Sequence, residues 1–232
     1  MHNILQDPNH SALKQVIEAN TIESFKTWGK WARLEYQQDL EIAWTASDIP
    51  FVLSNVVLGL VPQSGITAAE SLKAVVTATS RARSRRLPMG WWVGLTNPDP
   101  GLGQLLEDQG WFHAATLTGM AMELQTLVAP ASLPPGLTIN TVKDEESLET
   151  WCQIMTSVSE FPNFAAEAWL DMYWGMEIID DPQWSLYLGS LDGMPVSTSA
   201  LFLGAGVAGI HAVTTLPGYR GKGIATAMTY PQ

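Results

Sequence analysis

Two kinds of hydrophobic periodicity divide the first part of the chain into predicted helices and strands. Near the start Leu13, Val16 and Ile17 share one helix face, and Ile22, Phe25 and Trp28 continue an apolar stripe, so we predict helix there. Asn20 followed by Glu23 resembles a capping box. Ile42 and Trp44 alternate with their neighbours in a pattern typical of a half-buried strand. The continuous apolar run 51–60 predicts a central strand, because such strands are buried on both faces.

A second capping box, formed by Thr67 and Glu70, predicts a helix that ends near Arg86. Its predicted inner face consists of Leu72, Val75 and Val76. The arginines near its end allow two interpretations, an anion site or cations placed favourably at a helix C-terminus, and the second is favoured. These residues are Arg81, Arg83, Arg85 and Arg86.

Beyond this helix the pattern changes every few residues. We predict a strand over 90–95, a turn over 96–101, a short helix and a last strand over 111–124. The short helix has Leu102, Leu105 and Leu106 on its inner face and is followed by Gly110, a residue common just after helix ends.

Prolines mark the clearest boundary in the chain. The segment 128–136 contains three prolines and a glycine, and neither a helix nor a central strand can continue through it. We therefore predict a first domain over 1–128, a linker over 129–135 and a second domain over 136–232.

The second domain has a simple predicted order of elements. A strand over 136–142 precedes a helix capped by Asp144 and a second helix that begins near Ala165. Asp192-Gly193 is a strong hairpin signal between two strands, and a third strand follows over 207–215. Strand, helix, helix and then three successive strands indicate an α+β fold with a mixed sheet.

Composition limits the classes of function. Apolar residues make up 46% and charged residues 15% of the chain, which favours folded cores over disorder. The net charge of −11 disfavours nucleic acid as a partner and favours a cationic substrate such as a polyamine, although acidity that only maintains solubility is the commoner explanation.

The cysteine, the histidines and the N-terminus indicate which kinds of site and which cell compartment to expect. Cys152 is the single cysteine, so an internal disulfide is excluded, and its place on an apolar helix face predicts a buried thiol. The four histidines lack metal-ligand spacing, so we expect no metal site. The polar N-terminus does not resemble a signal peptide, and no apolar run is long enough to span a bilayer, so we expect a cytoplasmic protein.

Two glycine-rich segments differ in the element that comes after each of them. The segment 204–209 spells G-x-G-x-x-G, but a strand follows it and Ile224 stands where a dinucleotide site needs an acidic residue, so we predict a hairpin turn. The segment 216–228 follows a strand and opens a helix. Its small residues let a ligand approach the backbone, and Arg220 and Lys222 add positive charge, so we interpret it as a phosphate-binding loop over the alternative of an ordinary turn.

This second segment resembles a family signature. Arg220-Gly-Lys-Gly-Ile-Ala225 matches the R/Q-x-x-G-x-G/A motif of GNAT-superfamily acyltransferases, and 212–219 is similar to the end of the family's fourth strand. The resemblance covers about 136–232 and implies N-acetyl transfer from acetyl-CoA, the co-substrate, to a small-molecule or peptide amine. The alternative is a non-catalytic acyl-CoA-binding or scaffold module from a truncated gene.

The resemblance also implies roles for individual residues. The strand residues Val213, Thr214 and Thr215 correspond to backbone that pairs with the pantetheine arm of the cofactor. The residues whose amides correspond to the pyrophosphate cradle are Arg220, Gly221, Lys222, Gly223, Ile224 and Ala225. His211 is the titratable candidate for general base on this strand, with a structural histidine as the alternative.

The resemblance further predicts a tandem arrangement. The segment 67–112 is similar to the back half of a GNAT fold, but 61–65 lacks the phosphate loop, so we expect a first domain without a cofactor site. The second domain is expected to be incomplete, because the sequence ends at Gln232 before the family's later strands and its thiolate-protonating tyrosine. An open strand edge favours pairing with another chain, which makes a homodimer one expected state.

Overall fold

A computed structural model describes residues 10–38, 42–60, 67–94, 96, 100–124, 132–158, 161–162 and 164–230. Within these residues six helices and two four-stranded sheets form an α+β fold, as predicted. The chain divides into two compact units whose boundary in the sequence lies between Ala121 and Met122. Three predicted features, the 61–65 segment, the 97–99 turn residues and 129–131 of the linker, lie outside the described residues.

The first unit contains a sheet of order β1-β2-β3-β4 with three helices. Strand β2 is antiparallel to both β1 and β3, whereas β4 is parallel to β3 and is connected to it in the chain through the helix α2. The elements are α1 (His10–Trp28), β1 (Leu34–Gln38), β2 (Ile42–Ser47), β3 (Val56–Leu60), α2 (Ala68–Arg85), β4 (Gly90–Trp91) and α3 (Leu102–Asp108).

The second unit contains a sheet of order β5-β6-β7-β8 in which every neighbouring pair is antiparallel, so the mixed sheet predicted for it is wrong within the described residues. Two helices precede β6 in the chain and a short one follows β8. The elements are β5 (Leu137–Thr141), α4 (Glu145–Ser157), α5 (Ala165–Gly175), β6 (Trp184–Leu191), β7 (Met194–Gly204), β8 (Val207–Thr215) and α6 (Ile224–Met228).

Three predictions for the start of the first unit are wrong. The helical pattern predicted from Leu13 to Trp28 is confirmed by α1, but the capping box is wrong, because Asn20 is buried within this continuous helix. All six residues of β2 are buried, so the alternation around Ile42 does not mark a solvent-facing side. The run 51–60 is a short 3₁₀ turn followed by β3, because the buried Asn55 side chain donates to the carbonyls of Ile49 at 2.8 Å and Phe51 at 3.0 Å and shapes a turn there.

The cap of α2 is confirmed, and of its predicted inner face Val75 is confirmed, whereas Leu72 and Val76 are wrong. The Thr67 hydroxyl accepts from the Glu70 amide, and the Glu70 carboxylate accepts from the Thr67 amide. Leu72 and Val76 are 42% and 43% exposed, because a stripe of smaller side chains faces the core. That stripe consists of Ser71, Ala74, Val75 and Ala78, and it lets the helix approach closely.

The arginines near the end of α2 have structural contacts. The Arg81 guanidinium lies 3.6 Å from the centroid of the Trp44 ring, a cation–π contact. The Arg85 guanidinium donates to the carbonyl of Ser47 at 2.5 Å at the end of β2. Both contacts tie the helix to the sheet and favour the structural interpretation over an anion site.

The end of the first unit departs most from prediction. Strand β4 spans two residues where a strand over 90–95 was predicted, and 111–124 form no strand. Phe112 and Met120 are 84% and 87% exposed, although both are large apolar residues. A strand needs a paired neighbour, and within the described part of the chain no strand pairs with this segment.

The second unit follows the predicted order. The Asp144 carboxylate accepts from the Ser147 amide at 2.8 Å and caps α4, whose buried face includes Trp151 and Cys152. Asp192 and Gly193 have φ of 51° and 82° and join β6 to β7 as a hairpin. The G-x-G-x-x-G segment joins β7 to β8, which confirms the predicted hairpin turn.

Candidate functional site

Strand β8 lies at one end of the second sheet and leads into the predicted cofactor loop. It pairs with β7 on one side, and no described strand pairs with its other edge. The predicted pantetheine-binding residues Val213, Thr214 and Thr215 form the last part of this strand. Their backbone groups therefore lie beside an edge where an extended ligand could add hydrogen bonds.

A β-bulge interrupts the pairing of β8 with β7. Thr198 pairs with Thr214, but Ala200, two residues further along β7, pairs with His211, three residues back along β8. The bulge therefore inserts one extra residue into β8, around Ala212, whose φ is +50°. A bulge of this kind turns backbone groups out of the ladder, and bulges are frequent beside active sites.

Two hydroxyl groups from β7 bind the carbonyls around this bulge. The Thr198 hydroxyl donates to the Ala212 carbonyl at 2.9 Å, and the Ser197 hydroxyl donates to the Thr214 carbonyl at 2.6 Å. The Ser197 oxygen also lies 3.1 Å from the hydroxyl oxygen of Thr215. Both β7 residues are fully buried, so their hydroxyl groups need partners within the protein.

The loop after β8 is compact and has unusual backbone angles. A 3₁₀ turn over Pro217–Tyr219 follows the strand, and the Arg220 guanidinium donates through Nε to the Thr215 carbonyl at 3.0 Å. Gly221 and Gly223 have φ of +75° and +76°, in the left-handed region that favours glycine. The loop thus changes direction twice before α6.

Backbone amides of this loop are available to a ligand. Among the described residues, no group accepts a hydrogen bond from the amides of 221–226, and the next amide, that of Ala227, donates to the Gly223 carbonyl at 3.0 Å. Consecutive unpaired amides in a loop with left-handed residues form an anion-binding concavity. Arg220 and Lys222 are exposed beside them, and Lys222 Nζ lies 5.5 Å from the centroid of the Tyr219 ring.

Apolar packing fixes the far side of the loop. Ile224 and Met228 of α6 are 1% and 4% exposed and belong to a buried cluster with Leu137 and Val196. A Cβ at Gly189 of β6 would lie 2.7 Å from the Met228 sulfur, so this glycine lets α6 lie close to the sheet. The loop is therefore held between β8 and an anchored helix.

His211 lies before the bulge on β8, separated from the loop by the last residues of the strand. Its ring centroid is 6.1 Å from that of Trp184 and 6.5 Å from that of Phe202. Burial lowers the pKa of His211 below its ordinary value, because the charged imidazolium would lose hydration there. The ring is neutral near pH 7 and can accept a proton.

Ser197, Thr198 and the bulge at Ala212 are not predicted from the sequence. The one available signal was the run Ser197-Thr198-Ser199 in a strand otherwise rich in apolar residues. Buried hydroxyl groups need partners, but the identity of those partners depends on strand register.

Within the described residues, no three metal-binding side chains cluster and no helix has the length and apolarity to cross a membrane.

Comparisons with known proteins show the fold. No family model matches the chain, and no curated protein matches it. A GCN5-related N-acetyltransferase from Kribbella flavida has a similar structure, with a TM-score of 0.63, 20% identity, and coverage of 90% of this chain and 77% of that chain. A functionally unknown conserved protein from Staphylococcus epidermidis has a TM-score of 0.53 and 12% identity over 82% of this chain and 74% of that chain. The chain therefore has a fold similar to that of the Kribbella flavida N-acetyltransferase.

Proposed function

We propose that the second unit binds acetyl-CoA at β8 and the loop 220–225 and transfers its acetyl group to an amine. The observation that carries the proposal is the set of unpaired amides at 221–226, which lies with two cations directly after an open strand edge. The GNAT-like fold supports the same assignment, because the loop lies between a strand and a helix in a fold of acetyltransferases.

The loop and strand would bind different parts of the cofactor. Amides of 221–225 would donate to pyrophosphate oxygens, with charge-assisted contacts from Arg220 and Lys222. The backbone of Val213, Thr214 and Thr215 would pair with the amides of the pantetheine arm as an added strand would. This division matches phosphate to donors and an extended amide chain to an open edge.

For acetyl transfer, the protein has to accept the amine proton and hold the two reactants together. The amine nitrogen bonds to the thioester carbonyl carbon, the carbon–sulfur bond breaks, the amine loses a proton and the thiolate gains one. A neutral His211 would accept the amine proton, and its lowered pKa keeps it neutral at pH 7. Holding the two reactants together supplies the remainder of the catalysis in this proposal.

A cationic amine is the acceptor class that charge favours. The chain has a net charge of −11. The second unit contributes the larger share of this negative charge, because it has three cationic residues, Lys143, Arg220 and Lys222. An acidic surface raises the local concentration of cations and repels anions. A polyamine or aminoglycoside fits this field better than an acidic acceptor.

We propose further that the first unit is a second GNAT-like domain without a cofactor site. Both units contain three successive antiparallel strands followed by a helix. The similarity to the Kribbella flavida structure extends over 90% of the chain, which includes both units. A tandem arrangement with one binding unit accounts for both observations.

Calorimetry with CoA and acetyl-CoA tests the binding step. Gly223→Glu places a side chain and a negative charge in the loop and should abolish binding, whereas Gly193→Glu, at a hairpin glycine with φ of +82° and free space, is the matched control. Equal affinity of the Gly223→Glu protein and wild type would refute the assignment.

A thiol reagent that reports free CoA tests the transfer step. Acetyl-CoA with spermidine, an aminoglycoside or a peptide amine should release CoA faster than acetyl-CoA alone. Binding without release for every amine would instead favour the non-catalytic acyl-CoA-binding module. Absence of binding would reject both functions.

A further inference from the structure

We infer that Thr198 and Ser197 are positioning residues that hold the bulged part of β8 in its ligand-binding form, an inference that rests on the proposed acetyl-CoA site. Neither residue belongs to the loop or to the strand that would contact the cofactor. Both lie on β7, and their hydroxyl groups bind carbonyls of Ala212 and Thr214. Their proposed effect on the cofactor is therefore indirect, through the backbone of β8.

The bulge creates the need for these hydroxyl groups. One extra residue in β8 takes local carbonyls out of register with the amides of β7, and the left-handed φ of +50° at Ala212 is unfavourable for alanine. The Thr198 hydroxyl is buried and needs an acceptor, and in the bulged form it donates to the carbonyl of the partly buried Ala212 at 2.9 Å. This hydrogen bond favours the bulge over a regular ladder.

Ser197 extends the same support to the phosphate loop. Its hydroxyl donates to the Thr214 carbonyl at 2.6 Å and lies 3.1 Å from the Thr215 hydroxyl oxygen. The Thr215 carbonyl in turn accepts from Arg220 Nε at 3.0 Å. Thr215 thus contacts Ser197 of β7 through its side chain and Arg220 of the loop through its carbonyl.

A change in the bulge should therefore alter the backbone of β8 that leads into the loop. Loss of the Thr198 hydroxyl should return β8 toward a regular register and reorient the backbone of Val213 at the open edge. The bulged form would then be formed only on binding. The affinity for CoA should fall, because part of the binding free energy would be used to form the bulge. Loss of one such hydrogen bond corresponds to a rise in Kd of about three- to tenfold.

Three variants test the inference through CoA affinity, measured by calorimetry on the full chain. Thr198→Val keeps the shape and removes the hydroxyl, and should raise the Kd about three- to tenfold. Thr198→Ser restores a hydroxyl and should recover most of the affinity. Ser197→Ala should weaken binding in the same direction, and it provides a second measurement should Thr198→Val fail to fold.

Thr156→Val is the matched control. The Thr156 hydroxyl is buried on α4 and donates to the Cys152 carbonyl at 2.8 Å, within its own helix. Its loss should lower stability and leave the Kd for CoA unchanged. Hydrogen exchange at 212–215 should accelerate in Thr198→Val and not in Thr156→Val.

The outcomes separate the inference from the proposed function. Wild type that binds CoA, with Thr198→Val and Ser197→Ala binding as tightly, would overturn only the positioning role. The same role is overturned if Thr198→Ser is as weak as Thr198→Val, because the hydroxyl would then not be the cause. Wild type that binds no CoA would overturn both proposals. The expected result is weaker CoA binding by Thr198→Val and Ser197→Ala. Thr198→Ser should restore the affinity, and Thr156→Val should leave it unchanged.

Discussion

Substitution of Gly221 by alanine isolates the backbone conformation of the candidate cofactor loop. Gly221 has φ of +75°, and a Cβ built there meets no atom within 4 Å. The added methyl group therefore clashes with nothing, and the cost is the left-handed conformation itself, about 1–2 kcal/mol for an L-residue. Asparagine tolerates this conformation better, so Gly221→Asn should show a smaller effect.

The cost can appear in either of two measurements. If the fold holds the loop in place, the free energy of unfolding falls by about 1–2 kcal/mol. If the loop relaxes in the free protein, the cost is met on binding, and the Kd for CoA rises about tenfold for each 1.4 kcal/mol. The sum of the two changes should equal the conformational cost, whichever way it divides.

Urea denaturation and CoA calorimetry on the same variants provide both numbers. Gly218→Ala is the control, because Gly218 lies in the 3₁₀ turn of the same loop, also has no atom within 4 Å of a Cβ, and lacks a left-handed φ. The reasoning is wrong if Gly221→Ala matches Gly218→Ala in both measurements. It is also wrong if Gly221→Asn is more damaging than Gly221→Ala.

Four further outcomes are expected. Hydrogen bonds from the Ser147 side chain and amide hold the pKa of Asp144 below its usual value. The stability that this cap contributes is therefore present above about pH 3.9 and is lost as the pH falls through the lower pKa of the folded state. In an acid titration, the Asp144→Ala protein should lack this loss of stability. Burial raises the pKa of the Cys152 thiol to about 12, so a thiol reagent should label it only as the second unit unfolds, and rapid labelling of the native protein would contradict this. The NMR titration midpoint of His211 should lie below about 6.5, and since the folded state disfavours the imidazolium, stability should fall as pH drops from that value toward the folded pKa; a midpoint above it would be inconsistent with burial. Limited proteolysis should cut first within 129–135, and earlier cleavage inside both flanking domains would count against the predicted linker.

Local signals in the sequence predict most of the second unit. The cap at Asp144, the hairpin at Asp192-Gly193 and the strand before the loop depend on residues close together in the chain, so their physical causes are visible in the sequence. The cofactor loop is predictable for the same reason, since its glycines and cations are adjacent. Its assignment to a cofactor stays a proposal that the binding experiments test.

The tertiary structure decided the features that depend on distant partners. The side of α2 that faces the core is the one with small residues, because close approach to the sheet outweighs the larger apolar area of Leu72 and Val76. The strand predicted over 111–124 is absent, because strand formation needs a paired neighbour. The bulge at Ala212 and the buried hydroxyl groups of Ser197 and Thr198 arise from the register of β7 against β8. Register is a relation between two strands that residue spacing along one strand does not contain, so only the folded sheet determines which carbonyls these hydroxyl groups bind.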